Sequence, residues 1–364
     1  MDLEEARQAI ASVDEQMATL FVQRMEAARD IAAFKQEHGL PVEDKDQEAR
    51  VIAQRSRFVE DDDMRSFYIT FLQDTMDVSK AWQHRLMDGM QVAYSGVEGA
   101  FAHIAAKRIF PDGTAISFPS FEEAYAAVEK GTVDAAVLPI ENSRTGEVGQ
   151  VLDLMFAGSL HVNGVYDLTV VQNLLGVPGA TLDSVKTVVS HPQALAQCRA
   201  YIRAHGFEAS SVANTAVAAQ QVAESADPSV AAIASDEAAA LYGLKVLDHD
   251  VNEDRANTTR FAVFTRAEMG SLAGKGGKAF ILMFTVKDEA GGLAKALNII
   301  GAYGFNMRVL RSRPVKDLQW HYYFYAEVEG DDLSDDGRRM VAALAGACPT
   351  VKVAGRYATS DNVL

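Results

Sequence analysis

The chain has 364 residues, too long for one ordinary domain, and 48% of them are apolar, ample for packed cores. A formal charge of −16 with no Lys/Arg-rich run argues against a nucleic-acid partner, though it leaves room for a locally positive pocket holding a small anion. Two cysteines, Cys198 and Cys348, without a CxxC spacing argue against a disulfide framework or a zinc site. The acidic start Met1-Asp2-Leu3-Glu4-Glu5 is no signal peptide, and no apolar run approaches the roughly 18 residues of a membrane span, so a cytoplasmic setting is expected.

Residues 1–88 read as all helix. A heptad runs through the first of them: Leu3, Ile10, Met17, Arg24 and Ile31 form one row, and Ala6, Val13, Leu20, Ala27 and Phe34 the other. Gly39 and Pro41 end this helix, a second is expected from Val42 to Phe58, and Glu60-Asp61-Asp62-Asp63 caps a third from Met64 to Leu86. A first helix of about 35 residues is roughly 50 Å long at 1.5 Å per residue, more than two shorter partners can cover. A second copy of the same helix is the natural cover, so a homo-oligomer, at least a dimer, is expected.

From residue 89 to 266 the pattern alternates: strand Gln91–Tyr94, a glycine turn and a helix to Ala106, strand Val133–Ile140, helix Val148–Phe156, strand Val185–Val189, helix Ala194–His205, and strands Val230–Ala234 and Phe261–Thr265. Such alternation predicts an α/β fold with open parallel sheets, here two lobes around a cleft. Ala267 to Gly277 reads as a linker. Residues 278–360 follow a β-α-β-β-α-β order: strand Phe280–Val286, helix Gly292–Ala302, strands Met307–Arg311 and Tyr322–Val328, helix Leu333–Ala345 and strand Val351–Gly355. That order predicts an α+β ferredoxin-like sandwich.

The chemistry starts at Arg24. A guanidinium in an apolar seam needs an anion, either a buried Asp or Glu of the protein or a ligand, unless it snorkels out. Arg7 and Lys35 flank the same seam. On the third helix Ser79 and Gln83, at i and i+4, replace core residues; on the second, Asp44 and Glu48 repeat that spacing. The set holds no nucleophile–base pair and no metal cluster, and calls for no cofactor. It offers cations, a carboxylate and amide or ammonium donors, which suits a reaction driven by shape and charge stabilisation.

On these residues the block resembles the helical chorismate mutases: Arg7, Arg24 and Lys35 at their spacing, Pro41-Val42-x-Asp44-x3-Glu48, and Ser79-x3-Gln83. The resemblance implies that long helices exchange in a dimer, with Arg7 entering the partner's site. It implies that Arg7 and Arg24 hold the carboxylates of chorismate, Lys35 and Gln83 donate to the ether oxygen, Glu48 takes the ring hydroxyl, and Ser79 supports a carboxylate. Asp44 belongs to the same substrate-binding set, and Gln47 stands where the family carries an arginine.

In open α/β sheets ligands sit beyond the carboxyl ends of strands. Those ends carry Gly96, Gly99, Phe101 and His103; Glu141-Asn142-Ser143; Ser190-His191-Pro192-Gln193 with Gln197; Asn214-Thr215; and Asn257-Thr258-Thr259-Arg260-Phe261. Singly, each reads as a cap or turn. Together, Ile140-Glu141-Asn142-Ser143, Ser190-His191-Pro192-Gln193 and Thr259-Arg260-Phe261 resemble prephenate dehydratase. By that resemblance Thr259 protonates the departing hydroxyl, and Asn142, Ser190, Gln197 and Arg260 bind the substrate.

The last block resembles an ACT domain, a small-molecule sensor, on Gly291-Gly292-Leu293, Asn306 and Arg311-Ser312-Arg313-Pro314, with Arg311 where the family has Glu. This resemblance implies phenylalanine as effector, bound by Gly291, Gly292, Leu293, Asn306, Ser312 and Arg313. The order of the three blocks is that of the bifunctional chorismate mutase–prephenate dehydratase family, whose substrates are chorismate and prephenate. Two other readings of the residues stay open: a dehydratase whose helical block only dimerises, and a non-enzymatic amino-acid-sensing protein.

Overall fold

The computed structural model describes residues 2–253, 256–268, 278–316, 321–359 and 363–364. The expected linker lies, from residue 269 onward, outside the described residues. The chain divides into two compact units, Met1–Gln91 and Val92–Leu364.

The first unit is three helices, α1 (Leu3–His38), α2 (Lys45–Arg55) and α3 (Asp62–Asp88). Asp2 and Glu5 form a reciprocal capping box at the start of α1, and Gly39, at φ 64°, ends it in the left-handed conformation. Asp61 caps α3 through the Met64 amide at 2.7 Å. The second helix starts later than expected because Asp44 is its cap rather than a helical residue: its carboxylate accepts from the Gln47 amide at 2.9 Å. Its last turn, Ser56–Phe58, tightens to a 3₁₀ turn. Only Ala28 and Ala32 of α1 are buried, whereas Leu3, Ile10, Val13, Met17 and Leu20 are exposed in the single chain.

In the second unit the strands are β1 (Gln91–Ser95), β2 (Thr114–Phe118), β3 (Ala135–Asn142), β4 (Gly146–Glu147), β5 (His161–Thr169), β6 (Asn173–Gly176), β7 (Thr187–Ser190), β8 (Glu208–Ser211), β9 (Val230–Ala234), β10 (Lys245–Asp248), β11 (Thr258–Thr265), β12 (Lys278–Thr285), β13 (Asn306–Pro314), β14 (Tyr322–Glu329) and β15 (Val351–Ala358). The helices are α4 (Phe101–Ile109), α5 (Phe121–Glu129), α6 (Gly149–Ala157), α7 (Pro192–Gln197), α8 (Arg199–His205), α9 (Thr215–Ser225), α10 (Asp236–Tyr242), α11 (Gly292–Ala302) and α12 (Asp335–Ala347). One sheet runs β13-β14-β12-β15-β5-β11-β3-β1-β2, and a second runs β10-β6-β9-β7-β8.

The sheets are mixed rather than parallel. β1 and β3 are parallel, but β11 is antiparallel to both β3 and β5; in the second sheet β7 is parallel to β8 and β9, while β6 is antiparallel to β9. The cause is the chain's double crossing between lobes. It leaves the first lobe after β5 and returns as β11, and the two crossings pair, Val170 N to the Asn257 carbonyl at 2.8 Å and Val251 N to the Gln172 carbonyl at 2.8 Å. The single helix expected over Ala194–His205 is broken at Cys198. Glu253 makes the break: its amide takes the Gln197 carbonyl at 2.9 Å, and its carboxylate takes the Ala200 amide at 2.7 Å.

The C-terminal block has the expected β-α-β-β-α-β order, with strands in the order β13-β14-β12-β15. One face of its sheet packs Phe280, Leu282, Phe284 and Val328 against α11 and α12. The other face, with Ile281, Met283, Tyr323 and Tyr325, joins the core of the first lobe beside Val151, Leu152 and Met155 of α6. A strand buried on both faces is a continuous apolar run, which is how Phe280-Ile281-Leu282-Met283-Phe284 reads. The strands of the C-terminal block continue the first lobe's sheet where Gly355 of β15 pairs in parallel with Val162 of β5.

A Cβ on Gly355 would overlap the Val162 carbonyl oxygen. Gly355→Ala is therefore expected to separate β15 from β5 and cost roughly 1–3 kcal/mol. A lowered melting temperature and faster proteolysis between the lobe and the C-terminal block would register it; an unchanged melt would mean that the strands separate there without penalty.

Candidate active sites

In the helical unit a cavity of about 390 Å³ is lined by Arg24 and Lys35 of α1, Asp44 and Glu48 at the start of α2, and Ser79 and Gln83 of α3. Six of the seven residues singled out from the sequence thus share one pocket. The Arg24 guanidinium donates to the Thr75 carbonyl at 3.0 Å and to the Ser79 hydroxyl. Among the described residues no carboxylate pairs with it. Burial, and then the neighbouring Arg55, push its pKa down, so the cation sits in a site short of negative charge.

Lys35 donates to the Val42 carbonyl at 2.6 Å, which points its ammonium across the pocket mouth. Ser79 and Gln83 are buried at 6% and 7% exposure, as their place on the inner face of α3 requires. The Gln83 Oε1 has no hydrogen-bond partner, and a buried amide left open costs about 1–3 kcal/mol unless a ligand fills it.

Arg7 is elsewhere: it is exposed and lies 3.7 Å from Glu4. Seventeen residues up the same helix from Arg24 is roughly 25 Å, so Arg7 cannot reach the pocket of its own chain. The sequence reading missed Lys80 and Arg55, which also line the cavity and add to its positive charge beside Gln47. Lys80 lies 3.1 Å from Glu48 and 2.9 Å from Asp77. Burial works against its charge, but the two carboxylates outweigh it and raise its pKa. Its position next to Ser79 was the available signal.

The second cleft, about 320 Å³, opens between the two lobes of the second unit. From the first lobe it is lined by Phe101, Asn142 and Thr259, and from the second by His191, Gln197 and Asn214. Thr259 and Asn142 are cross-strand partners on β11 and β3. The Asn142 amide donates to Thr259 Oγ1 at 3.0 Å and to Asn257 Oδ1 at 2.9 Å, and Asn257 donates to Gln197 Oε1 at 3.1 Å. Because Thr259 Oγ1 accepts from Asn142, its own hydrogen is left to donate into the cleft. Asn257 ties the lobes together, and buried Gln172 lines the cleft with an unpartnered Oε1; neither was singled out. Asn257 lay in the quoted run before Thr259, whereas Gln172 follows a strand, β5, that was not read.

Two expectations are corrected here. Ser190 does not line the cleft: it is fully buried and donates to the Ile233 carbonyl at 2.6 Å, holding β7 to β9. Arg260 does not face the cleft either. Successive strand residues point to opposite faces, so with Thr259 in the cleft Arg260 points away, onto Glu327 at 2.7 Å. His103 is structural: burial lowers its pKa, and its Nδ1 accepts from the Gly99 amide at 3.1 Å.

Of the effector residues, Gly291 starts α11 at φ 83°, and a Cβ on Gly292 would meet the Lys287 carbonyl at 2.5 Å. Leu293 packs into the core of the C-terminal block, and Asn306 donates to Glu329 at 2.8 Å. Residues 311–314 belong to the edge strand β13, which runs on past Arg311, where it was expected to end. Ser312 is exposed on it, while Arg313 turns to Asp153 at 3.0 Å and Glu147 at 3.1 Å. Among the described residues no helix is long and apolar enough to cross a membrane.

Comparison with known proteins gives one family match in each unit. The prephenate dehydratase family model matches residues 92–269, and the chorismate mutase type II model matches residues 6–84. The bifunctional chorismate mutase/prephenate dehydratase of Escherichia coli K12 is 29% identical over 98% of this chain and 96% of its own. A solved prephenate dehydratase from Arthrobacter aurescens, in complex with L-Phe, is 27% identical with a TM-score of 0.69, covering 75% of this chain and 91% of that one. The solved structure of the quorum-quenching acylase GqqA is 31% identical with a TM-score of 0.68, covering 74% of this chain and 98% of that one. The chain belongs to the prephenate dehydratase family. More narrowly, it is of the bifunctional kind, with a chorismate mutase domain ahead of the dehydratase.

One pH effect follows from a clasp near the end of α3, where His84 lies 3.0 Å from Glu43 and 3.1 Å from Asp88. Burial alone would lower the His84 pKa, but the two carboxylates outweigh it and raise it. The stability this clasp contributes is complete below the ordinary histidine value of about 6.5 and is lost as pH rises through the raised folded-state value. Melts of the full chain are expected to show that loss above about pH 6.5, and His84→Gln to flatten it. An equal slope in the variant would place the proton on another group.

Proposed function

We propose that the helical unit rearranges chorismate to prephenate through the residues of its pocket, that the two-lobed unit converts prephenate to phenylpyruvate at Thr259, and that phenylalanine acts on the C-terminal block as on an ACT domain. The observation that carries this reading is the half-buried Arg24, a cation with no carboxylate partner among the described residues, in a pocket that also holds Lys35, Glu48, Ser79 and Gln83.

In the first reaction Arg24 holds a substrate carboxylate and Ser79 supports it. Lys35 and Gln83 donate to the ether oxygen, where negative charge grows as the C–O bond breaks, and Glu48 accepts from the ring hydroxyl. Asp44 caps α2 and fixes the wall that carries Glu48. Arg7 serves the pocket of a second copy. The exposed apolar residues of α1 support that dimer, as does an apolar groove of about 790 Å³ lined by Met17, Leu20, Phe21, Phe58 and Phe71. In the second reaction the hydroxyl leaves with a proton from Thr259 while the carboxylate leaves as carbon dioxide and the ring becomes aromatic. The net reaction takes up one proton, which returns to Thr259 from water. Asn142 orients Thr259, and Gln197, through Asn257, reports closure of the opposite lobe. A cytoplasmic setting fits both reactions.

The two sites lie in different units, so they are separable. Arg24→Ala is expected to abolish prephenate formation from chorismate while dehydration of supplied prephenate stays within about twofold. Thr259→Ala is expected to do the reverse and let prephenate accumulate. Assays of both steps on each variant check this; equal loss of both activities in a folded variant would refute separate sites.

Control is tested by titrating phenylalanine into the full chain in a calorimeter and assaying dehydration alongside. Binding heat with a falling dehydratase rate and an unchanged Thr259 site is expected. Absence of heat with unchanged rates at millimolar ligand would leave the C-terminal block a purely structural module.

A further inference from the structure

The rung of the β3–β11 ladder next to the Asn142–Thr259 pair is the pair Glu141–Arg260. Both of its side chains point away from the cleft, and both are taken by the C-terminal block. The Arg260 guanidinium makes a two-pronged bond to Glu327 of β14, at 2.7 and 3.0 Å. It also lies 3.4 Å from Glu141 and 3.4 Å from Asp167 of β5. Glu327 is 2% exposed, and its two oxygens accept further bonds from Tyr325 at 2.8 Å and Tyr357 at 2.6 Å. Glu141 is held by Arg311 of β13. Two residues of the C-terminal block, Glu327 and Arg311, therefore grip the two side chains that alternate with the catalytic pair, and Tyr325 and Tyr357 hold Glu327 in place.

We propose that Arg260 and Glu327 are positioning residues for dehydration: through them the C-terminal block sets the place of Thr259 and Asn142 on the ladder, and a ligand of that block is read at the cleft along the same contacts.

The geometry supports this in three ways. A bidentate guanidinium–carboxylate pair fixes orientation as well as distance. Glu327 is buried, so losing Arg260 would leave a buried carboxylate held only by the two tyrosine hydroxyls. Neighbouring residues of one strand share a peptide plane, so a shift at Arg260 is passed to Thr259 within one residue. Burial alone would raise the Glu327 pKa, but Arg260 and the two tyrosine hydroxyls outweigh it, and Glu327 stays charged.

The inference rests on the assignment of dehydration to Thr259, and its test separates the two. Glu327→Gln keeps the shape and removes the charge. In the full chain it is expected to lower kcat for prephenate about 10- to 100-fold with KM within about twofold, since misplacement of a reacting group by a fraction of an ångström costs rate rather than binding. Chorismate rearrangement in the same preparation is expected to be unchanged, and an unchanged melting transition of the second unit controls for folding. Glu327→Asp is expected to recover part of kcat. Glu327→Gln and Arg311→Ala are both expected to flatten the response of the dehydratase to phenylalanine.

A folded Glu327→Gln protein with parental kcat and a parental phenylalanine response would overturn the proposal. If that variant fails to fold, Tyr357→Phe and Tyr325→Phe each remove one donor and leave the ion pair. A kcat lowered about two- to fivefold in each is then the expected result, and parental kcat in both overturns the proposal. A parental protein that turns over no prephenate would refute the assignment to Thr259 instead.

Discussion

The antiparallel pairing of β11 with β3 is the constraint on which the second unit depends. It exists because the chain leaves the first lobe after β5 and comes back, so the returning strand must run against its neighbours. The return puts Thr259 opposite Asn142 at the mouth of the cleft and brings Asn257, one crossing earlier, against Gln197 of the other lobe. Side chains on a strand alternate with period two, so the same pairing that builds the site on one face builds a charged seam on the other. The lining of the cleft and the attachment of the C-terminal block are thus two faces of one ladder.

That alternation also explains which parts of the site were legible in the sequence. Thr259-Arg260-Phe261 is one motif along the chain, but three directions in space: cleft, seam and core. A motif shows that residues are neighbours in sequence and not which way each points, so Arg260 was grouped with Thr259 although it faces Glu327. Ser190 failed for a related reason, since a hydroxyl at a strand end serves a backbone carbonyl as readily as a ligand. In the helices the period is 3.6 and the inner face is marked by apolar residues on either side. There the polar intruders Arg24, Ser79 and Gln83 stood out, and all three line one pocket. Strand β5, short helices and the direction of sheet pairing were not legible, because they depend on contacts between residues far apart in sequence.

Charge illustrates the difference between a chain and a site. The protein carries a formal charge of −16, yet the helical pocket gathers Arg24, Lys35, Arg55 and Lys80 around Asp44 and Glu48. Among the described residues, only Lys80 of these cations has a close carboxylate there, Glu48. Arg24 and Arg55 repel each other across the cavity, which keeps the pocket in a state that a dianion relieves. The surplus negative charge on the rest of the chain does not cancel this, because exposed charges more than a Debye length of about 10 Å away are screened by salt.

The C-terminal block is not an appendage on a tether. Ile281, Met283, Tyr323 and Tyr325 belong to the same core as α6 of the first lobe, and β15 continues its sheet into β5. A block hung on a flexible segment can move without disturbing its neighbour, but one that shares a core cannot, because packed interiors shift between discrete arrangements rather than deforming smoothly. The ion pairs at this junction act on that background. Lys352 caps the end of α6 by donating to the Met155 carbonyl at 2.7 Å, Arg313 grips Asp153 in the middle of the same helix, and Arg260 meets Glu327 beside the Asn142–Thr259 rung. Each fixes direction where apolar packing fixes only proximity. A change in the sheet of the C-terminal block must therefore be accommodated either in α6 or in the ladder of β11.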